Sequence, residues 1–144
     1  MQCNDVAASA ADCITTLDQQ RLMALIERAC ARAEGAPAQA RQILQHVRQS
    51  VVVAPEAAPR DLVTMNSTVV VAAADGRQHE LTVVYPEDHD PDEACWSVFS
   101  PIGAALFGRR VGSDVDIDAP EFAGVRWQIR AMPFQPEAHG WLTM

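Results

Sequence analysis

The spacing of apolar residues changes near residue 60, and this change most constrains how the chain can fold. In the first part, apolar side chains recur every three or four residues, at Leu22, Leu25, Ile26, Ala29 and Ala33. In the second part, apolar and polar residues alternate, as at the start of Val125–Phe134. The first spacing lines one face of a helix, and the second lines one face of a strand. The sequence therefore predicts an α+β protein with its helices first.

Two helices joined by a tight turn are predicted in residues 14–50. Thr16 begins a capping box with Gln19, in which the Thr hydroxyl accepts an N–H of the first turn. Gly35 and Pro37 are typical of a helix end followed by a new helix start. The second helix has its own apolar face, formed by Ala40, Ile43, Leu44 and Val47. Two such faces across a short turn predict an antiparallel helical hairpin, a short coiled coil.

The remaining segments divide the chain into four parts. Residues 1–13 have no periodicity and are predicted to be a loose tail, followed by the hairpin arm at 14–50. Pro55 and Pro59 mark residues 51–60 as an extended linker. Residues 61–144 are then expected to form a separate, mostly antiparallel β-domain.

Five strands and one short helix are predicted in that domain. Asp75-Gly76 is typical of a hairpin turn between the first two strands. Pro101 and Gly103 interrupt the strand pattern and precede a short helical turn within residues 100–107. The predicted strands are Ser67–Ala73, Glu80–Tyr85, Cys95–Phe99, Val115–Asp118 and Val125–Phe134. These elements indicate a strongly bent half-barrel sheet.

The charge distribution excludes several functions. The net charge is −8, with 11 basic residues, all Arg, so direct sequence-specific binding to nucleic acid is not expected. No apolar stretch is long enough to cross a membrane, and Met1–Ala11 lacks the features of a secretory signal. A cytoplasmic protein is expected. Five Arg residues lie in residues 21–48, which suits either a basic arm facing an acidic surface or a solvated, salt-bridged helix pair.

Motifs for metal binding or catalysis are not found. Asp88, Asp90 and Asp92 match the first spacings of a calcium loop, but Glu93 and Phe99 stand where that loop needs Gly and Glu. The four cysteines form no C-x-x-C pair. We therefore predict no metal site, no cofactor and no catalytic residue.

The segment Ser100–Gly112 contains a proline and three glycines, which restrict the backbone more than a connecting loop requires. One interpretation is structural: a turn from strand to helix, followed by a turn into the next strand. The other is functional: a rigid apolar knuckle, Pro101 and Ile102, that docks on a partner. The residues alone favour neither strongly.

This segment also resembles a hallmark of the C-terminal domain of the transcript cleavage factors GreA and GreB. Further segments are similar to the Rnk branch of that superfamily, the regulators of nucleoside diphosphate kinase. They are Leu17–Leu25, Leu62–Ser67, Val83–Pro86 and Gln135–Ala138. Together the segments span most of residues 14–140.

The resemblance implies a fold and a partner. The family fold is an antiparallel helical hairpin plus an FKBP-like domain, in agreement with the residue pattern. In Gre factors the C-terminal domain docks at the rim of the RNA polymerase secondary channel, which the hairpin enters. By position, the docking role falls here on Ser100, Pro101, Ile102 and Gly103. Any effect on nucleoside diphosphate kinase is then expected to be indirect.

The arm differs from that of a Gre factor, whose acidic tip helps to hold a catalytic magnesium ion. Leu17–Glu34 has 18 residues and would span only about 27 Å as a helix. At the predicted tip, Glu34 beside Gly35 is the one acidic residue. A lone carboxylate on a short arm is not expected to recruit a second magnesium ion. We therefore predict a regulator that competes with Gre factors without stimulating RNA cleavage, and not an enzyme.

Two alternatives remain from the resemblance. One is a true transcript-cleavage elongation factor. The other is a peptidyl-prolyl isomerase, suggested by the FKBP-like fold alone. An isomerase needs a pocket lined with aromatic residues, and several of the few aromatics in this chain are needed for the core.

Overall fold

A computed structural model describes residues 13–31 and 38–141 of the 144-residue chain. Most of the predicted tail, residues 1–12, lies outside the described residues. So do the predicted arm-tip residues Glu34 and Gly35.

Two amphipathic helices form the N-terminal hairpin. Helix α1 covers Thr16–Cys30 and helix α2 covers Ala38–Gln49. Leu22 and Ile26 of α1 are buried, as are Ile43 and Val47 of α2, so the apolar faces predicted from the three-to-four-residue spacing pack together. The described helices are all too short or too polar to span a bilayer.

Thr15, and not Thr16, caps helix α1. Its Oγ1 accepts the backbone N–H of Asp18 at 3.1 Å. Thr15 has the extended backbone that a cap residue needs, because it also ends strand β1, Cys13–Thr15. The prediction that Thr16 is the cap is therefore wrong by one residue, and Asp18 becomes the third residue of the helix.

A small parallel sheet lies at the base of the hairpin. Strand β1 pairs with strand β2, Val51–Val53, with Cys13 opposite Val51. A 3₁₀ turn, Pro55–Ala57, follows β2. The first half of the segment predicted to be a linker is thus extended and also hydrogen-bonded to the chain before α1. A domain boundary at residues 51–60 stays a prediction.

Within the described residues the main sheet has five strands, and its curvature confirms the predicted half-barrel. The strands are β3 (Thr68–Ala73), β4 (Gln78–Val84), β5 (Cys95–Ser97), β6 (Asp114–Val115) and β7 (Trp127–Phe134). They lie in the order β5-β4-β3-β7-β6. The pairing of β3 with β7 shifts register twice between Thr68 and Val71, and such irregularities bend a sheet.

In the main sheet, one of the described strand pairs departs from the mostly antiparallel pattern. Strand β5 runs parallel to β4. Two 3₁₀ turns, Pro86–Asp88 and Pro91–Glu93, lie in the connection that returns the chain to Thr82, in the second half of β4. The β3–β4 hairpin is antiparallel, and Gly76 in its turn has φ +96°, as the Asp-Gly sequence predicts.

The core is continuous between hairpin and sheet. Leu22 and Ile43 of the helices belong to the same buried cluster as Val71, Trp127 and Ile129 of the strands. Trp127 and Ile129 share one strand face, as their alternation predicts, and both are fully buried. The hairpin therefore packs against the sheet along its apolar face.

Candidate docking surface

The predicted docking turn, Ser100–Gly103, leads from strand β5 into helix α3, Pro101–Leu106. Ser100 caps this helix, because its Oγ accepts the N–H of Gly103 at 3.1 Å. The Ser100 hydroxyl also donates to the carbonyl oxygen of Ser97 at 2.6 Å, and the Ser100 N–H donates to that same oxygen at 2.8 Å. Pro101 occupies the first helical position, where its missing N–H costs nothing. The turn is held rigidly from both sides.

The four residues of the docking turn differ in exposure. Pro101 is exposed and Ser100 is half-buried, whereas Ile102 is only 2% exposed and Gly103 is buried. The expectation that Ile102 forms an exposed knuckle with Pro101 is therefore wrong. Successive helical residues point about 100° apart, and Ile102 points into the core. The accessible apolar face of α3 consists of Pro101 and the half-buried Ala105 one turn later.

Gly103 is required by a close backbone approach. A Cβ at this position would overlap the carbonyl oxygen of Ser97 and lie 2.6 Å from the Ser97 carbonyl carbon. The absence of a side chain lets α3 pack directly on the end of β5. The role of Gly103 within the chain is thus to set the position of the docking turn.

Gly108 connects the end of α3 to helix α2. It has φ +81°, and a Cβ there would collide with the imidazole of His46. The Gly108 N–H donates to the Val63 carbonyl at 3.0 Å. The Phe107 ring meets His46 edge-on, with ring centroids 5.5 Å apart. The glycine-rich segment after α3 therefore also fixes the hairpin beside the docking turn.

A second group of polar residues, not recognised as a group from the sequence, joins the arm to the sheet. Asp18 of α1 is 2% exposed. Its Oδ2 accepts the backbone N–H of Met65 at 3.1 Å, and its Oδ1 accepts the Tyr85 hydroxyl at 3.3 Å. Asp18 lies in the first turn of α1, where a negative charge complements the helix dipole. Its hydrogen bonds also hold α1 to two segments of the β-domain.

Glu137 extends this group from the other side. Its Oε1 accepts the hydroxyl of Thr64 at 2.7 Å, and the Thr64 and Ser67 hydroxyl oxygens lie 2.8 Å apart. The Thr64 N–H donates to Ser67 Oγ at 3.0 Å. Because the Thr64 proton is used on the carboxylate, the Ser67 hydroxyl donates to Thr64. We call Asp18, Thr64, Met65, Tyr85 and Glu137 the arm–sheet junction.

Burial dominates the electrostatics of the junction. Desolvation raises the pKa of Asp18 from its ordinary value of 3.8 to about 6, and the negative charge of Glu137 adds to the rise. The hydrogen bond from Met65 opposes both effects. Burial, and then the charge of Asp18, raise the pKa of the Tyr85 phenol. The Arg21 guanidinium lies 5.8 Å from the centre of the Tyr85 ring, so a cation faces the junction from α1.

Gln135 adds a further connection beside the junction. Its Nε2 donates to the carbonyl oxygens of Pro59 and Leu62, both at 2.8 Å. The four segments that resemble the Rnk branch therefore converge in space, each supplying a residue to the junction or to this contact. The sequence signal that could have revealed them is the presence of polar residues inside otherwise apolar segments, since buried polar groups need partners.

Within residues 13–31 and 38–141, no three His, Cys, Asp or Glu side chains cluster as metal ligands would. In the loop that contains Asp88, Asp90 and Asp92, His89 Nδ1 accepts the Ser97 N–H at 2.8 Å, so this histidine holds the loop to β5. Phe107, Phe122 and Trp127 are buried in the core, so these aromatic side chains are used for packing.

Known proteins resemble the chain in sequence and in fold. The C-terminal domain family of GreA/GreB transcription elongation factors matches residues 58–132. The regulator of nucleoside diphosphate kinase of Escherichia coli (strain K12) is 33% identical over 128 residues, which cover 88% of this chain and 92% of that protein. GreA of Geobacillus kaustophilus is 32% identical over 81 residues, which cover 55% of this chain and 51% of that protein.

A solved structure supports the same relationship. A prokaryotic transcription elongation factor GreA/GreB from Nitrosomonas europaea superposes with a TM-score of 0.74 at 30% identity. The superposition covers 85% of this chain and 99% of the other.

The match through the curled sheet and the α3 turn shows that the chain belongs to the GreA/GreB family of transcription elongation factors. Within that family it is a homologue of the regulator of nucleoside diphosphate kinase, because that similarity covers 88% of the chain. The resemblance expected from the motifs is confirmed. The chain is an elongation-factor-like regulator, and these relatives are regulators and elongation factors rather than metabolic enzymes.

Proposed function

We propose that the protein binds RNA polymerase near the secondary channel through the exposed face of α3, and that it competes there with Gre factors. The observation that carries this proposal is the geometry of the docking turn. Pro101 is exposed on a rigid turn. Ser100 caps the helix on one side of it, and Gly103 packs directly against the Ser97 carbonyl on the other. A rigid apolar group loses little entropy on binding, so it suits a docking contact.

The length and charge of the arm support the proposal that the protein binds polymerase without stimulating RNA cleavage. The described part of α1 has 15 residues, about 22 Å of helix. Glu34 is the one acidic residue between Arg28 and Pro55 in the sequence. Metal-assisted cleavage needs several oxygen ligands placed around the ion. A change in nucleoside diphosphate kinase would then follow indirectly, from altered transcription. A cytoplasmic location is part of the same proposal.

Binding to purified core RNA polymerase tests the docking role. Pro101→Asp places a charge in an apolar contact and is expected to weaken binding at least about tenfold. Pro120→Asp is the matched control, because Pro120 is also exposed and also begins a short helical turn. It should bind as the unaltered protein does. Equal binding by both variants would remove the docking assignment.

Two further measurements separate the proposed activity from its alternative. The protein should displace a Gre factor from the polymerase. Added to a backtracked elongation complex with magnesium, it should release no short 3′ RNA fragments. Fragments above background would favour a cleavage-stimulating factor instead.

A further inference from the structure

A cleft lies between helix α2 and the end of helix α3, next to the docking turn. One helical face of α2 forms its wall, with Gln42, Gln45, His46 and Gln49. Phe107, Gly108 and Arg109 form the opposite side. The cleft also reaches Ala104, one helical turn beyond Pro101. It therefore continues the surface on which the proposed docking contact lies.

The size of the cleft limits what it can hold. Its volume is about 190 Å³, below the roughly 300–1,000 Å³ of pockets for small-molecule ligands. A nucleotide or cofactor would not be enclosed. A single side chain from a partner surface fits a space of this size.

The charge of the cleft differs from that of the whole protein. The chain has a net charge of −8, yet no lining residue is Asp or Glu. The described helix α2 also contains no acidic residue, whereas it carries Arg41 and Arg48. Within an acidic protein, this face offers donors and positive charge to an acidic group.

Arg109 is the residue best placed to bind such a group. Among residues 13–31 and 38–141, no carboxylate lies within ion-pair distance of its guanidinium, whereas the neighbouring Arg110 donates to Asp61 at 2.8 Å. A guanidinium binds a carboxylate through two parallel hydrogen bonds. The side-chain amides of Gln42, Gln45 and Gln49 can donate further hydrogen bonds to the same carboxylate.

We propose that the cleft binds a single acidic side chain, Asp or Glu, of the RNA polymerase surface. The proposal rests on the proposed function, since it supplies a second contact for the same docking event. A protein carboxylate is favoured over a nucleic-acid phosphate for two reasons. The net negative charge of the chain repels a polyanion, and the cleft encloses one group rather than following a backbone.

Charge reversal tests the cleft. Arg109→Glu and Gln45→Glu are each expected to weaken binding to core polymerase at least about tenfold. Arg126→Glu is the control, because the Arg126 side chain is 71% exposed directly before β7 and the substitution changes the charge as Arg109→Glu does. It should change binding by less than about twofold. Thermal unfolding of each variant verifies that the fold is retained.

The outcomes separate this inference from the proposed function. If Pro101→Asp loses binding while Arg109→Glu matches Arg126→Glu, the docking contact stands and the cleft inference is refuted. If the unaltered protein does not bind polymerase at all, the proposed function fails, and a second probe decides the cleft.

That probe is a blocked peptide with a single glutamate, titrated into ¹⁵N-labelled full-length protein. The side-chain amide signals of Gln42, Gln45 and Gln49 should shift saturably, and Arg109→Glu should abolish the shift. Unchanged amides would refute the cleft as a carboxylate site. Stronger shifts with inorganic phosphate or a short single-stranded RNA would refute it in favour of a phosphate site.

Discussion

Replacing Asp18 with Asn is expected to change how the stability of the protein depends on pH. Asp18 is buried at the arm–sheet junction, and its pKa rises from the ordinary 3.8 to about 6 on folding. Below pH 3.8 the carboxyl is protonated in both the folded and unfolded states. Between pH 3.8 and 6 the unfolded chain loses this proton while the folded chain keeps it. The free energy of unfolding therefore falls as pH rises, and this effect is complete above pH 6.

The size of the effect follows from the same pKa. A tenfold change in proton affinity is worth about 1.4 kcal/mol, so a rise from 3.8 to about 6 corresponds to about 3 kcal/mol. Between pH 4 and pH 7 most of it, about 2–3 kcal/mol, should be measurable. Asn fits the site without this titration. Its carbonyl oxygen can accept the Met65 N–H, and its amide can donate to the Tyr85 oxygen.

Urea unfolding at a series of pH values from 4 to 7, followed by tryptophan fluorescence, measures the difference. Relative to the unaltered protein, Asp18→Asn should become more stable by about 2–3 kcal/mol as pH rises from 4 to 7. The exposed Asp116 provides the control. Asp116→Asn should keep the pH dependence of the unaltered protein. Parallel curves for Asp18→Asn would contradict the burial of Asp18 and with it the attachment of the arm to the sheet.

Two substitutions test how the docking turn and the chain before β3 are held. Gly103→Ala should reduce the free energy of unfolding by about 1–3 kcal/mol, because the new methyl group overlaps the Ser97 carbonyl; a thermal melt like that of the unaltered protein would contradict this packing. Gln135→Ala removes the donor of two backbone carbonyls and should cost about 1–3 kcal/mol in urea unfolding. Gln128→Ala, which removes a donor at an exposed site, should cost under about 0.5 kcal/mol.

The elements that the sequence predicted correctly depend on neighbours in the chain. The helical hairpin follows from a period of three to four residues. The β3–β4 hairpin follows from Asp75-Gly76, and the short helical turn of α3 follows from Pro101 and Gly103. Each of these elements is determined by residues that lie close together in the sequence. The family resemblance was recognisable for a similar reason, because each motif is a short run of consecutive residues.

The sequence pattern did not predict which residues from distant parts of the chain come into contact. Thr15 takes the cap in place of Thr16 because strand β1 holds it extended, and β1 exists through its pairing with Val51–Val53. Strand β5 runs parallel to β4 because the connection brings the chain back to Thr82, so that Cys95–Ser97 pairs with Thr82–Val84 in the same direction. Local spacing contains no information about either pairing.

The docking turn shows most clearly the difference between what local sequence determines and what distant contacts determine. The sequence by itself determined that Ser100–Gly103 is a restricted turn, since a proline and a glycine limit the backbone locally. Only the tertiary structure decided that Ile102 faces inward and Pro101 outward. Likewise, Asp18 binds Met65 across 47 residues and Thr64 binds Glu137 across 73. Burial and charge arise from such distant contacts, which no local pattern encodes.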